Sequence, residues 1–402
     1  MSMNETPRAN RIHIAFFGRR NAGKSSLVNA VTGQNLAIVS DLKGTTTDPV
    51  YKSMELLPLG PVVIIDTPGF DDEGELGEMR VNKAKQVLNK TDIAVLVTEQ
   101  LTQNNEHNID EELSALFKAR NIPFITVINK CDNLNDPLPA ARSDEILLVS
   151  AKTNFNINLL KEKIAFLAEE LESNKKLVAD LIKPLDLIVL VIPIDKAAPK
   201  GRLILPQQQM IRDILEAGAV AISVKEDGLC DLLEKQKIKP ALVITDSQVF
   251  AQVAQIVPKE IPLTSFSILF ARYKGFLDTA VAGALSLNSL KNGDKILICE
   301  GCTHHRQCDD IGTVKIPRLI KNFNKTEPEF TFCSGGDFPS DLSSYKLIIH
   351  CGACMLNERE MYYRRNLAQE QKIPFTNYGT AIAHINGILS RSIEFVIRNK
   401  NE

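Results

Sequence analysis

Gly18-Arg19-Arg20-Asn21-Ala22-Gly23-Lys24-Ser25 spells GxxxxGKS, a glycine-rich loop whose backbone N–H groups can cradle phosphate oxygens. Outward from it, the apolar run His13 to Phe17 reads as a buried strand, and Lys24 to Thr32, closed by Gly33, reads as a helix with a glycine stop. Strand, loop and helix follow in the order such a loop needs. The positive end of the helix and the amides running from Gly18 through Asn21, Ala22, Gly23 and Ser26 would then surround phosphate. Lys24 would reach the β- and γ-phosphates, and the Ser25 hydroxyl would ligate Mg²⁺.

Downstream, Val62 to Ile65 runs as a second buried strand into Asp66-Thr67-Pro68-Gly69. That segment supplies a carboxylate to hold Mg²⁺ through its hydration shell, and a Gly69 amide for the γ-phosphate. Pro123 to Ile128 leads into Asn129-Lys130-Cys131-Asp132. The Asp132 carboxylate can accept hydrogen bonds from guanine N1 and N2, donors that adenine lacks, and an acceptor left unpaired against ATP gives large discrimination. Ser150-Ala151-Lys152, after the strand Glu145 to Val149, supplies an amide for guanine O6. The four motifs together imply GTP with Mg²⁺, and they resemble those of P-loop GTPases of the Ras-like TrmE/Era class.

Between the phosphate loop and Asp66, the stretch Asp41 to Asp48 contains Gly44-Thr45-Thr46-Thr47 and lies where a first switch belongs. By resemblance to bacterial GTPases with a GTTxD segment, Thr46 is the residue that caps Mg²⁺, with Thr45 the next choice. Lys24, Thr46, Asp66 and Gly69 are therefore the expected catalytic set. Phe70 stands where Ras-like proteins carry a water-positioning glutamine, so slow turnover is expected; Asp71, Asp72 and Glu73 lie in the second switch. Asn21 occupies the loop position at which K⁺-dependent GTPases hold the cation. K⁺ there would do the work of an arginine finger, a contribution worth about 10³ to 10⁵ in rate.

The chain has 402 residues, 44% of them hydrophobic, and a net charge of −2. That length suggests three domains, expected at 1–173 for the GTPase, 174–262 for a small α/β middle domain, and 263–402 for a C-terminal α/β metal-cluster domain. The near-neutral charge gives no support for nucleic acid or an anionic membrane as partner. No apolar leader opens the sequence and the apolar runs are too short to span a bilayer, so a cytoplasmic protein is expected. In the middle domain, strands Leu187 to Pro193, Ala219 to Val224 and Ala241 to Thr245 alternate with helices Gln207 to Glu216, Gly228 to Lys237 and Gln248 to Val257. That alternation makes a parallel sheet whose edge offers a route to a homodimer. Cys230, isolated there, reads as core.

Six of the eight cysteines and three of the six histidines lie between Cys299 and Cys354. Cys302-Thr303-His304-His305 follows the apolar run Lys295 to Cys299, and His350-Cys351-Gly352-Ala353-Cys354 follows Tyr345 to Ile349. Both clusters sit just beyond the carboxyl ends of expected strands, where open α/β sheets bind ligands. If the two strands are neighbours, Cys302 meets the Cys351/Cys354 pair. Disulfides do not suit a reducing compartment, and ligand softness permits either Zn²⁺ in a Cys₃His site or an iron–sulfur cluster.

A GTPase domain, a middle α/β domain and a C-terminal C-x-H…H-C-x-x-C pattern together resemble the HydF family of [FeFe]-hydrogenase maturation GTPases, along essentially the whole chain. Cys302, His304, His350, Cys351 and Cys354 stand at the family's motif positions. The resemblance implies a [4Fe–4S] cluster on Cys302, Cys351 and Cys354, with His304 or Asp309 as fourth ligand and Cys308 a nearby competing thiol. His305 and Cys333 read as neighbours, and Cys299 as strand core. The resemblance further implies a carrier that takes a di-iron precursor from radical S-adenosylmethionine maturases to apo [FeFe]-hydrogenase. The alternative is a ribosome- or tRNA-associated GTPase with a structural zinc domain, which the lack of a basic, aromatic-laced stripe disfavours. A metal-insertion GTPase would want histidine-rich tracts, and this chain has six histidines.

Overall fold

The computed structural model describes residues 8–34, 49–69, 83–99, 109–133, 141–143, 146–171, 175–194, 203–301 and 310–398. They form two compact units, Met1–Ser173 and Asn174–Glu402.

In the first unit, β1 (Ile12–Gly18), β3 (Gly60–Asp66), β4 (Ile93–Thr98), β5 (Phe124–Ile128) and β7 (Ile146–Leu148) are parallel. Antiparallel β2 (Val50–Leu56) and β6 (Ala141–Ser143) close the two edges, giving the order β2-β3-β1-β4-β5-β7-β6. A strand covered on both faces reads as a continuous apolar run, because alternate residues point to opposite sides. In β1, Ile14 and Phe16 enter one core with Leu27, Val28 and Leu160, while Ala15 and Phe17 enter the other with Leu88, Leu113 and Phe117. Helices Lys24–Thr32 and Ile157–Leu171 cover the first face. Helix Ile109–Ala119 and the helical residues 83–88 cover the second. Each fully buried Phe or Leu contributes roughly 1.5–3 kcal/mol, which fixes the strand ends that carry the motifs.

The second unit holds two four-stranded sheets, all parallel. The first runs β11 (Leu263–Ser265), β10 (Leu242–Thr245), β8 (Leu187–Val191), β9 (Val220–Val224). The second runs β13 (Glu329–Ser334), β12 (Lys295–Glu300), β14 (Leu347–His350), β15 (Phe375–Asn377). Leu263–Ser265, beyond the expected 262/263 divide, is thus the outer strand of the first sheet. One apolar core extends from Leu177 to Val396 and takes residues of both sheets. Cys230 is exposed rather than core. In its helix, Leu229–Glu234, the buried side chain is Leu229, and one residue onward turns about 100° away, toward solvent. Among the described residues, no helix is long and apolar enough to cross a membrane.

Candidate nucleotide site and cysteine loop

The phosphate loop is built where only glycine fits. Gly18 has φ 144° and a Cβ there would lie 2.1 Å from the Val97 carbonyl oxygen; Gly23 has φ 85° and a Cβ would lie 2.3 Å from Asn129 Nδ2. Asn21 also takes the left-handed region, φ 61°, which asparagine tolerates better than most side chains. Helix Lys24–Thr32 starts at Gly23 and stops at Gly33, both left-handed. Gly69 closes on the loop, since a Cβ on it would lie 3.0 Å from Arg20.

Charge is gathered at the loop. Lys24 is buried and its ammonium donates to the Gly18 carbonyl at 3.1 Å and the Arg19 carbonyl at 2.8 Å. Ser25 Oγ donates to Asp66 Oδ2 at 2.6 Å, joining the helix start to the end of β3. Asp66 is buried and its Oδ1 has no hydrogen-bond partner. Burial pushes its pKa up, against the Ser25 hydrogen bond and the Lys24 charge. A buried carboxylate with one unmatched oxygen beside a hydroxyl is a hard oxygen pair that suits Mg²⁺, so the residues present fit that ion.

The motifs expected to read guanine lock to the loop through side chains. Asn129 Nδ2 donates to the Ala22 carbonyl at 3.1 Å, while its Oδ1 accepts from the Ala151 N–H at 3.2 Å. Lys130 donates to the Asn21 carbonyl at 2.7 Å and pairs with Glu99. Ser150 Oγ donates to Asp132 Oδ1 at 2.6 Å, and that bond chiefly holds the Asp132 carboxyl below its ordinary value. A cavity of 530 Å³ opens beside them, lined by Ser26, Ala151 and Lys152 among others. Gly18, Asn21 to Ser26, Asp66, Gly69, Asn129, Lys130, Asp132 and Ser150 to Lys152 therefore converge. Thr45, Thr46, Phe70 and the acidic residues 71–73 lie outside the described residues.

In the second unit, β12 and β14 are parallel neighbours, with Cys299 opposite His350. The Cys351 N–H donates to the Cys299 carbonyl at 2.8 Å, and the Gly301 N–H donates to Cys351 Sγ at 3.1 Å. A second amide, from Ala353, reaches the same sulfur at 3.3 Å. Two N–H donors thus fix the position of the Cys351 sulfur. The chain leaving β12 toward Cys302 thus starts against Cys351. Cys302, His304, His305, Cys308 and Asp309 lie outside the described residues. Among the described residues no group of three or more His, Cys, Asp or Glu is placed to hold a metal ion.

Beneath this loop lies a set of buried charges. Lys274, 5% exposed, donates to the Ala353 and Leu356 carbonyls. Arg364, fully buried, donates to Glu360 at 2.8 and 2.9 Å and to His350 Nε2 at 3.0 Å. Burial and the Arg364 charge push the His350 pKa down to about 3. The ring is therefore neutral, and its Nδ1 donates to the Cys351 carbonyl at 3.0 Å. With both ring nitrogens engaged, His350 is a brace for the loop.

Two models from one family match this unit: the hydrogen maturase F dimerization domain over residues 177–275 and the hydrogen maturase F tetramerization domain over residues 278–395. Together they span more than half of the chain. The chain belongs to the hydrogen maturase F family. A third model, the 50S ribosome-binding GTPase, matches residues 13–130 of this maturase F chain. The tRNA modification GTPase MnmE of Legionella pneumophila (strain Paris) is 35% identical over 154 residues, 38% of this chain and 34% of that protein. GTPase Der of Kosmotoga olearia is 29% identical over 178 residues, 40% of each. The chain thus spans about a third of the length of the first of these relatives. A crystal structure of an Aquifex aeolicus Era variant bound to GDP.AlF4- has a TM-score of 0.34 at 21% identity, covering 53% of this chain and 92% of that one.

Sequence reasoning missed Lys274, Arg364 and Glu360. Lys274 precedes Gly275 at the end of helix Phe266–Tyr273, so it reads as an ordinary solvent-facing last-turn cation. Glu360 and Arg364 read as an i,i+4 surface pair. No local signal distinguishes such a pair from one buried by the rest of the fold.

Proposed function

We propose that this chain is a GTP-hydrolysing scaffold for hydrogenase maturation. It would hold a [4Fe–4S] cluster on Cys302, Cys351 and Cys354, with His304 or Asp309 as fourth ligand, and carry a di-iron precursor to apo [FeFe]-hydrogenase. Family membership supports the maturation role. The observation that carries the cluster assignment is the Gly301 N–H on Cys351 Sγ, because it brings the β12 end, one residue before Cys302, against the C-x-x-C loop. Bound there, the cluster would supply an iron site able to hold the cargo through a bridging ligand. The chain's own residues orient the sulfurs: His350 and Lys274 fix the loop carbonyls, and two amides fix Cys351 Sγ.

GTP is the substrate of the first unit. Lys24 and the loop amides take the phosphates, Ser25 and Asp66 take Mg²⁺ with Thr46, and Asp132 takes guanine. Slow hydrolysis follows from Phe70, and K⁺ at Asn21 would raise it. The names of the two maturase models support a homo-oligomer, and radical S-adenosylmethionine maturases and apo-hydrogenase are the expected partners in the cytoplasm. GTP would act as a switch on partner affinity, which requires that the two nucleotide states bind a partner differently.

The test is anaerobic purification, reconstitution with iron and sulfide, and EPR after reduction, with Cys302→Ala and Cys354→Ala alongside. A [4Fe–4S]⁺ signal lost in both variants supports the reading. Stoichiometric zinc with no iron uptake would sink it in favour of a structural zinc domain.

A further inference from the structure

We propose that Lys274 is a positioning residue for the Cys351–Cys354 loop, whose fixed positive charge offsets the negative charge of the thiolates gathered there. The inference rests on the cluster reading above.

Three observations carry it. Lys274 is buried, and two of its three N–H donors are used by Ala353 and Leu356, one carbonyl inside the C-x-x-C segment and one just beyond it. The ammonium therefore holds both ends of the turn that presents Cys354. Burying an ammonium costs several kcal/mol unless it is paired, and two neutral carbonyls would be served as well by an uncharged amide. The charge itself calls for an anion.

Among the described residues the anions within its reach are few. The Ala353 carbonyl that it holds lies between Cys351 and Cys354, the Leu356 carbonyl lies two residues past Cys354, and the first acidic side chain beyond them is Glu358. Glu358 is half exposed and already paired with Lys175. The remaining candidates are the two sulfurs, which are uncharged as thiols and become anions when they bind metal. Lys274 lies in the region matched by the dimerization model, and the cysteines in that matched by the tetramerization model. The metal loop is thus completed by a residue from outside its own sheet.

A fixed cation near an iron–sulfur cluster stabilises its more negative, reduced form, so removing it lowers the reduction potential. The full chain is reconstituted anaerobically with ferrous iron and sulfide as wild type, Lys274→Gln and Lys274→Arg. Lys274→Gln keeps a donor for the carbonyls without the charge; Lys274→Arg keeps the charge. EPR-monitored redox titration and the rate of iron loss to a chelator are then compared. Lys274→Gln is expected to have a lower midpoint potential and to lose iron about 10- to 100-fold faster, the usual cost of removing an outer-shell partner. Lys274→Arg should stay near wild type in both. A loaded Lys274→Gln chain that matches wild type in potential and iron loss overturns the inference alone. Should Lys274→Gln fail to fold, Lys274→Arg decides: wild-type potential supports the charge role, and a lowered one overturns it. A wild-type chain that takes up no iron refutes the cluster reading itself, and this inference with it.

Discussion

The nucleotide site and the cysteine loop both lie at the carboxyl ends of parallel strands, but they are held by different physics. Around the phosphate loop the constraint is backbone: Gly18 and Gly23 occupy left-handed conformations with no room for a Cβ, and Asn129 ties the loop to Ala151. Around Cys351 the constraint is buried charge: Lys274, Arg364 and neutral His350 hold carbonyls and one another out of water. Glycine conformation leaves a spaced pattern in sequence. Buried ion networks leave none, because the same residue types serve on any helix surface. The contrast can be broken by substitutions on each side.

The largest effect is expected at Asp132. If Asp132 takes guanine as proposed, Asp132→Ala deletes two hydrogen bonds to a charged acceptor. GDP affinity measured by titration calorimetry should fall by roughly 10²- to 10⁴-fold, with iron content unchanged. A loss of less than about threefold, under 1 kcal/mol, would mean that guanine is read elsewhere.

Arg364→Met addresses the other side. It leaves the Glu360 carboxylate buried without its cation, and one Glu360 oxygen already lacks a partner. Breaking such a pair costs about 3–5 kcal/mol, read as a lower urea midpoint for the second unit while GDP affinity holds. The double variant Glu360→Gln with Arg364→Met should recover part of the loss. If Arg364→Met alone is neutral, buried charge is not what holds this loop.

Gly18→Ala tests the backbone claim directly. The φ of 144° and the 2.1 Å approach to Val97 oxygen mean that β1 must shift away from β4. A loss of about 2–4 kcal/mol in the first unit is expected, measured by thermal unfolding with the second unit's transition unmoved. An unchanged first transition would show that the β1–β4 contact yields easily.

The same contrast explains what could be read in advance. Helix Lys24–Thr32 and its Gly33 stop lie where the sequence places them, because glycine, apolar period and motif agree there. That each cysteine cluster follows an apolar strand was legible from the runs Lys295 to Cys299 and Tyr345 to Ile349; that β12 and β14 are neighbours was a condition in the sequence, because pairing between distant strands leaves no local signal, and the structure meets it. Cys230 was misread because one cysteine carries no period to say which way it faces. His350 looked like part of a ligand pattern. Its neutral, doubly bonded state depends on Arg364, which comes from the helix Glu358–Glu370 rather than from its own strand.

The smallest effect is expected at Ser150. Its hydroxyl donates to Asp132 Oδ1 and accepts from the Thr153 N–H at 3.1 Å, so it orients the carboxylate proposed to take guanine. Ser150→Ala removes one bond to an exposed carboxylate and should weaken GDP binding roughly fivefold by calorimetry. Its pH dependence separates orientation from charge. The Ser150 bond holds the Asp132 pKa below 3.8, so the carboxylate stays ionised further into acid with serine than without it. Above about pH 5 both forms carry the charge, and any remaining loss there is loss of orientation. As pH falls further, the variant should lose GDP earlier than wild type, because its Asp132 protonates nearer the ordinary value. Parallel acid limbs in the two proteins would mean that Ser150 sets geometry alone.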